Sequence, residues 1–327
     1  MASISYRNNR WQVRVRRKGH PTETRSFGTR QDAERWARGL EADMDRGAYV
    51  PLGEAQRTTL GDLIERYLVE VTPSLKGAKE DTIRLRALMR NPLCSYALIA
   101  LTPTSVAKYR DERLQKVSSG TVIRELAFIS AIINHARREW SINIENPVSR
   151  VRKPSAPVGR DRVLTAEEEA RLIDALRPRG RRSPWLYPLV LLALETAMRR
   201  GELLVLRWQD VNLVKRTATL YDTKNGEGRV VPLSSRAVEV LQALPRSISG
   251  HVIPMTPFAV YAAFDRATDR AKIDGLRFHD LRHTAITRMA EKLPNLIELA
   301  AVSGHKSLRM LQRYYHPRAE DLAYKLG

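Results

Sequence analysis

Six side chains in the C-terminal part of the chain, Arg199, Lys224, His279, Arg282, His305 and Tyr314, are of the types needed to attack a phosphodiester. A phenol with its ordinary pKa of about 10 is a weak nucleophile at neutral pH and needs help from its surroundings. A guanidinium group grips two phosphate oxygens in a planar fork and stabilises the charge that builds on a pentavalent phosphorus. By analogy with other preorganised donors each is worth roughly 10²–10³ in rate. A lysine near its usual pKa of about 10.4 is a ready proton donor, and Lys224 stands beside the turn signature Asn225-Gly226. His279 and Arg282 lie three residues apart and so share one helical face. Glu202, three residues after Arg199, is placed to orient the groups around it. Three neighbours compete on residue type alone. Arg200 follows Arg199, and at a helix start it would point away and be exposed; Tyr315 follows Tyr314; His283, about 100° round the helix from Arg282, reads as structural.

The elements that must position these residues have a recognisable order. Thr196-Ala197-Met198-Arg199-Arg200-Gly201-Glu202 comes first, then Thr223-Lys224-Asn225-Gly226, His279-Asp280-Leu281-Arg282-His283, Gly304-His305 and Arg313-Tyr314-Tyr315-His316. This series resembles the tyrosine recombinase (phage integrase) family, which carries an arginine box, a hairpin lysine, H-x-x-R, G-H and R-Y-x-H; the nine-residue step from His305 to Tyr314 matches as well. Ala197 departs from the glycine usual in the family, and a small local shift of that turn is expected. Around Leu194–Arg199, Ile273–His283 and Ser303–His305 the chain is similar to shufflon-type inversion recombinases. The resemblance implies that Tyr314 is the nucleophile rather than Tyr315 and that Lys224 protonates the leaving 5′ oxygen. It implies that His279 contacts the phosphate or accepts the tyrosine proton, that His305 hydrogen-bonds a non-bridging oxygen, and that His316 supports the site. It also implies transesterification through a 3′-phosphotyrosine without ATP, metal or other cofactor, on double-stranded DNA, by a homotetramer, with room for an accessory DNA-bending protein.

Composition agrees with a polyanionic partner. The chain has 327 residues, a formal net charge of +20 and 43% hydrophobic residues, enough for two or three domains with real cores. No uninterrupted apolar run is long enough to span a bilayer, no secretion signal is visible, and Cys94, the one cysteine, reads as a buried small hydrophobe in a reducing cytoplasm. No Cys/His spacing suggests a zinc site.

The fold expected is mainly α with small β-sheets, in three domains. Residues 1–50 read as a small sheet on one helix: Trp11, Val13 and Val15 alternate with polar residues, a second strand covers Thr22–Phe27, and Thr29 caps a helix with Ala33, Trp36, Ala37, Leu40 and Met44 on one face, ended by Gly47. Arg7, Arg10, Arg14, Arg16, Arg17 and Lys18 precede the first acid, Glu23, and suggest a sheet that grips DNA; this resembles the arm-binding domains of phage integrases. Residues 57–150 read as four helices whose apolar stripes form a core, similar by position to the family's core-binding domain. Val151–Arg160, with two prolines, a glycine and cations including Arg152 and Lys153, reads as an unpacked basic strap that could follow a DNA backbone and let the flanking domains close as a clamp. Residues 160–327 read as the mixed α/β catalytic domain, with helices near 184–196, 257–271, 279–292, 295–302 and 307–315 and strands at 217–221 and 229–233. Two rival functions remain at this level: relaxation by a type IB topoisomerase-like enzyme, and a DNA-binding regulator without catalysis.

Overall fold

The computed structural model describes residues 2–46, 53–180, 182–221 and 228–315, with 320, 323, 326 and 327 beyond them. The expected helix end at Gly47, the hairpin tip with Lys224, and His316 lie outside the described residues. The chain divides into two compact units, Met1–Val158 and Gly159–Gly327.

The first unit contains two separate hydrophobic cores. In the smaller, β1 (Ala2–Arg7), β2 (Arg10–Val15) and β3 (Glu23–Phe27) form an antiparallel sheet in that order, backed by α1 (Arg30–Asp45). Period-two alternation sends Val13 and Val15 inward against Ala33, Ala37 and Met44. Strand β1 is one more than sequence reasoning found: Ile4 is its one strongly apolar inward residue, too faint a period to read. In the larger core, α2 (Gly53–Arg57), α3 (Leu60–Glu70), α4 (Ala78–Leu88), α5 (Pro103–Leu114) and α6 (Ser119–Glu139) surround Leu63, Ile64, Leu126, Ile129 and Ile133. Thr59 and Thr102 close capping boxes at the starts of α3 and α5. Cys94 is buried here; its Sγ meets the Leu88 carbonyl at 3.3 Å, and burial pushes its pKa up to about 11.

The segment 151–160 is more ordered than its composition predicts. Val151 is buried in the bundle core, the Arg152 carbonyl accepts from Arg110 Nη1 at 2.8 Å, and Pro157 lies against Gly120. At the far end Arg160 forms a two-point ion pair with Asp280, at 2.7 and 2.8 Å. Prolines cannot continue a helix or donate a backbone bond, but they pack, and a flanking valine and arginine tie each end down. The unpacked strap is therefore corrected to a segment anchored at both ends.

The second unit is built on α8 (Leu186–Thr196), which is buried almost all round. Against it pack α7 (Ala166–Leu176), α10 (Ser235–Gln242), α11 (Pro257–Ala271) and α12 (Phe278–Lys292). Short helix α9 (Arg200–Val205) precedes an antiparallel sheet, β4 (Val211–Asn212), β5 (Thr217–Leu220) and β6 (Arg229–Pro232), with Leu220 opposite Arg229. Helices α13 (Leu296–Ser303) and α14 (Leu308–Leu311) follow, and a 3₁₀ turn, Gln312–Tyr314, carries the tyrosine that was expected on a continuous helix. No helix among the described residues is long and apolar enough to cross a membrane.

Candidate active site

Turns in the second unit bring the site together. The first follows α8. Thr196 Oγ1 bonds the Leu192 carbonyl at 2.6 Å and accepts from the Met198 N–H at 3.3 Å, and Ala197 ends the helix at φ 53°, ψ 17°. This is the left-handed conformation that a glycine adopts freely, so alanine here keeps the turn's geometry rather than shifting it. The side chain is fully buried, which offsets the backbone cost.

The turn delivers Arg199 to the start of α9. Its backbone N–H donates to Glu202 Oε2 and its Nη1 to Glu202 Oε1, both at 2.8 Å. From β6, Arg229 donates Nη1 to Oε1 at 3.0 Å and Nη2 to Oε2 at 2.8 Å. The carboxylate is almost wholly buried, and although burial alone would raise its pKa, Arg229 and Arg199 hold it down at about 2. Glu202 is thus a charged bridge between the arginine box and strand β6. Arg229 was not found from sequence; a lone arginine at a strand start carries no signal until the carboxylate it faces is known. Its guanidinium lies flat on Gly304, where a Cβ would stand 2.8 Å from both Cζ and Nε. Arg229 Nε is buried without a hydrogen-bond partner among the described residues. Arg200, expected to be exposed, is half-buried.

Arg282, on α12, is only 4% exposed. Its Nη1 bonds the Ala197 carbonyl and its Nη2 the Ser303 carbonyl, the latter at 2.7 Å. Each Nη carries two hydrogens, so one on each remains for a phosphate. Burial and the nearby Arg199 lower its pKa to about 10, which leaves it charged at neutral pH. Ser303 also fixes His305: its Oγ donates to the Leu299 carbonyl at 2.6 Å and meets His305 Nδ1 at 2.8 Å. With the hydroxyl proton already used, Nδ1 must be the donor; a neutral ring then has Nε2 bare, and the expected hydrogen bond from His305 to a non-bridging oxygen requires the ring to take up a proton. Burial, Arg282, Arg199 and Arg229 push the His305 pKa down to about 4.

Tyr314 packs in a small core with Ala197, Ala285, Ile286, Leu299 and Leu311. Its phenol is not bare: the hydroxyl bonds His283 Nδ1, and the two rings stack at 5.8 Å. Burial raises the phenol pKa, while Arg313 and Arg282 pull it down. His283 was read from the sequence as structural, and it is the residue that bonds the phenol. It stands 31 positions from Tyr314, and no spacing rule connects a helix face to a distant turn. His279, expected to contact the phosphate or accept the tyrosine proton, meets His283 edge-on at 5.3 Å. Tyr315 lies past the 3₁₀ turn with an extended backbone. The structure thus gathers Arg199, Glu202, His279, Arg282, His305 and Tyr314, adds Arg229 and His283, and says nothing of Lys224 and His316. No group of three or more His, Cys, Asp or Glu side chains stands together as metal ligands would among the described residues.

The six N-terminal cations separate by face. Ser3, Ser5 and Arg7 of β1, Arg10, Gln12 and Arg14 of β2, and Thr24 and Ser26 of β3 share the side of the sheet away from α1. That face holds three arginines, small hydroxyl residues and a glutamine, with no acid. Arg16, Arg17 and Lys18 are exposed where β2 ends, and Arg17 is paired with Asp45. Arg152 and Lys153 are exposed.

A buried guanidinium aligned with a second one, two imidazoles and a phenol is a site for phosphoryl transfer through tyrosine. Comparison with known proteins agrees. Residues 162–321 match the phage integrase family and residues 56–154 the phage integrase N-terminal domain. The chain is 41% identical to a shufflon-specific DNA recombinase from Escherichia coli, over 85% of this chain and 74% of that protein. It is 36% identical to a putative integrase/recombinase from Haemophilus influenzae, over 99% of this chain and 88% of that one. The fold matches that of a lambda integrase tetramer bound to a Holliday junction, with a TM-score of 0.63 and 21% identity over 93% of this chain and 95% of that one. The chain belongs to the phage integrase family, the tyrosine-type site-specific DNA recombinases.

Proposed function

We propose that Tyr314 Oη attacks a scissile phosphate in duplex DNA, forming a 3′-phosphotyrosyl bond as the bond to the 5′ oxygen breaks. Arg199 and Arg282 neutralise the charge on the pentavalent phosphorus, and Lys224 gives its proton to the departing 5′ oxygen. A 5′-hydroxyl of a second duplex then attacks the same phosphorus, returns a proton to Lys224 and releases Tyr314. One ester replaces another, so no ATP is consumed, and fixed cations supply the charge that a metal supplies in other phosphoryl-transfer enzymes. The observation that carries this reading is the seating of the Tyr314 ring in the same small core as Ala197, whose carbonyl is bonded to Arg282. Glu202, itself held by Arg229, holds Arg199, and His316 has a supporting role.

The acid-free sheet face with Arg7, Arg10 and Arg14 supports an arm-type DNA-binding role for residues 1–50, to which Arg16, Arg17 and Lys18 contribute from its edge. Residues 57–150 act as the core-binding domain, Arg152 and Lys153 contact backbone phosphates, and residues 160–327 carry the chemistry. The lambda integrase tetramer on a Holliday junction supports four copies acting together on paired sites, aided by a DNA-bending protein, in the cytoplasm. The shufflon-specific relative supports inversion. On a nicked substrate that traps the cleaved state, Tyr314→Phe should bind DNA normally and form no adduct. Wild-type protein should also exchange strands between two sites; relaxation of supercoils without exchange would instead identify a topoisomerase-like activity.

A further inference from the structure

We infer that His283, not His279, is the base that takes the Tyr314 proton. This rests on the proposed role of Tyr314 as nucleophile. The Tyr314 hydroxyl is bonded to His283 Nδ1, which gives the phenolic proton a nitrogen to go to. Around the His283 ring stand His279, Asp280 and Arg282 from its own helix, and Arg313 and Tyr314 from the terminal turn. His305 lies near enough for the two imidazoles to disfavour each other's protonation. Burial, and then His279 and Arg313, lower the His283 pKa, while Asp280 opposes them, so the ring is neutral at pH 7. A neutral imidazole accepts through one nitrogen only. The phenol is held protonated by burial, and we assign the tautomer in which the hydroxyl donates, Nδ1 accepts and Nε2 carries the ring's own hydrogen. The motif's own histidine, His279, touches His283 edge-on, as a wall of the ring's pocket.

The step balances simply. As Tyr314 Oη bonds to phosphorus, its proton passes to His283 Nδ1, giving an imidazolium beside the Asp280 carboxylate; the electron pair of the breaking bond leaves on the 5′ oxygen, which Lys224 protonates. In the joining step the tyrosinate leaves phosphorus and recovers its proton from His283. General-base help of this kind is typically worth 10²–10⁴ in rate.

The test separates proton removal at the nucleophile from proton delivery to the leaving group. His283→Gln keeps an acceptor for the phenol but cannot take up a proton. Its single-turnover cleavage at pH 7 should fall by about 10² or more, with DNA affinity and thermal stability near wild type, and should recover as pH rises toward phenol ionisation. On a substrate with sulfur in place of the bridging 5′ oxygen, the leaving thiolate needs no proton. Lys224→Ala should be rescued there and His283→Gln should not. In His283→Gly, added imidazole should restore part of the rate. Cleavage by His283→Gln within threefold of wild type, or its rescue by the sulfur substrate, overturns the inference. If Tyr314→Phe still forms an adduct, the assignment of the nucleophile itself falls instead.

Discussion

At the residue scale the site depends on one carboxylate. Glu202 holds Arg199 by two bonds and Arg229 by two more, with its side chain only 7% exposed. Removing the charge of a buried bridge leaves cations without compensation, which costs several kcal/mol where burial is deep. Glu202→Gln should therefore lose on the order of 3 kcal/mol in urea unfolding at pH 7, and should cleave far more slowly because Arg199 is no longer fixed. The pH response has two steps. His305, lowered from 6.5 to about 4, is neutral in the folded protein; the unfolded chain takes up that proton first, so stability falls as pH drops from 6.5 toward 4. Glu202, lowered from 4.5 to about 2, contributes stability that is present above 4.5 and is lost as pH falls through 4.5 toward 2. Unfolding followed across this range should show the lower step in wild type and not in Glu202→Gln. The residues with chemistry were legible because their types recur at motif spacing. Arg229 was not seen and His283 was read as structural, because their meaning lies in what they touch across the fold.

At the scale of elements, capped helices were the most legible part. Thr29, expected to cap its helix, accepts from the Asp32 N–H, and Thr59, Thr102 and Thr165 likewise accept from a backbone N–H three residues on. Helix α10 (Ser235–Gln242) escaped notice although Ser234 caps it, because its one-sided apolar set, Ala237 and Leu241, is short. Strand β4 has two residues and owes its existence to pairing with β5. The elements around the site interlock through Gly304. It ends α13 at φ 69° and leaves room for the Arg229 guanidinium that comes from β6. An alanine there would meet both a strained backbone, about 1–2 kcal/mol, and a clash with the half-buried Arg229 guanidinium. Gly304→Ala should lower the unfolding midpoint and slow cleavage more than Ala substitution at the exposed Gly201, with binding of DNA largely kept. A Gly304→Ala protein of wild-type rate and stability would show that the packing of β6 on α13 is not needed.

At the scale of the whole molecule, the net charge of +20 sets how the protein meets DNA. Each phosphate contact contributes about 0.9 to the slope of log affinity against log salt. Replacing Arg7, Arg10 and Arg14 with alanine should reduce that slope by about 2 to 3 on DNA long enough to engage the N-terminal sheet. It should leave cleavage of a short core site unchanged. The prolines and cations of 151–160 marked a linker in the sequence, but the anchoring of both its ends was not visible, since burial of Val151 and the Arg160–Asp280 pair depend on distant partners. The most direct test of the account is to trap the cleaved state on a nicked site, digest the complex, and locate the DNA-linked residue by mass spectrometry. The phosphate should be found on Tyr314 and joined to the 3′ end of the cut strand. A phosphate on Tyr315, a link to a 5′ end, or no covalent peptide under conditions of full DNA binding would contradict it.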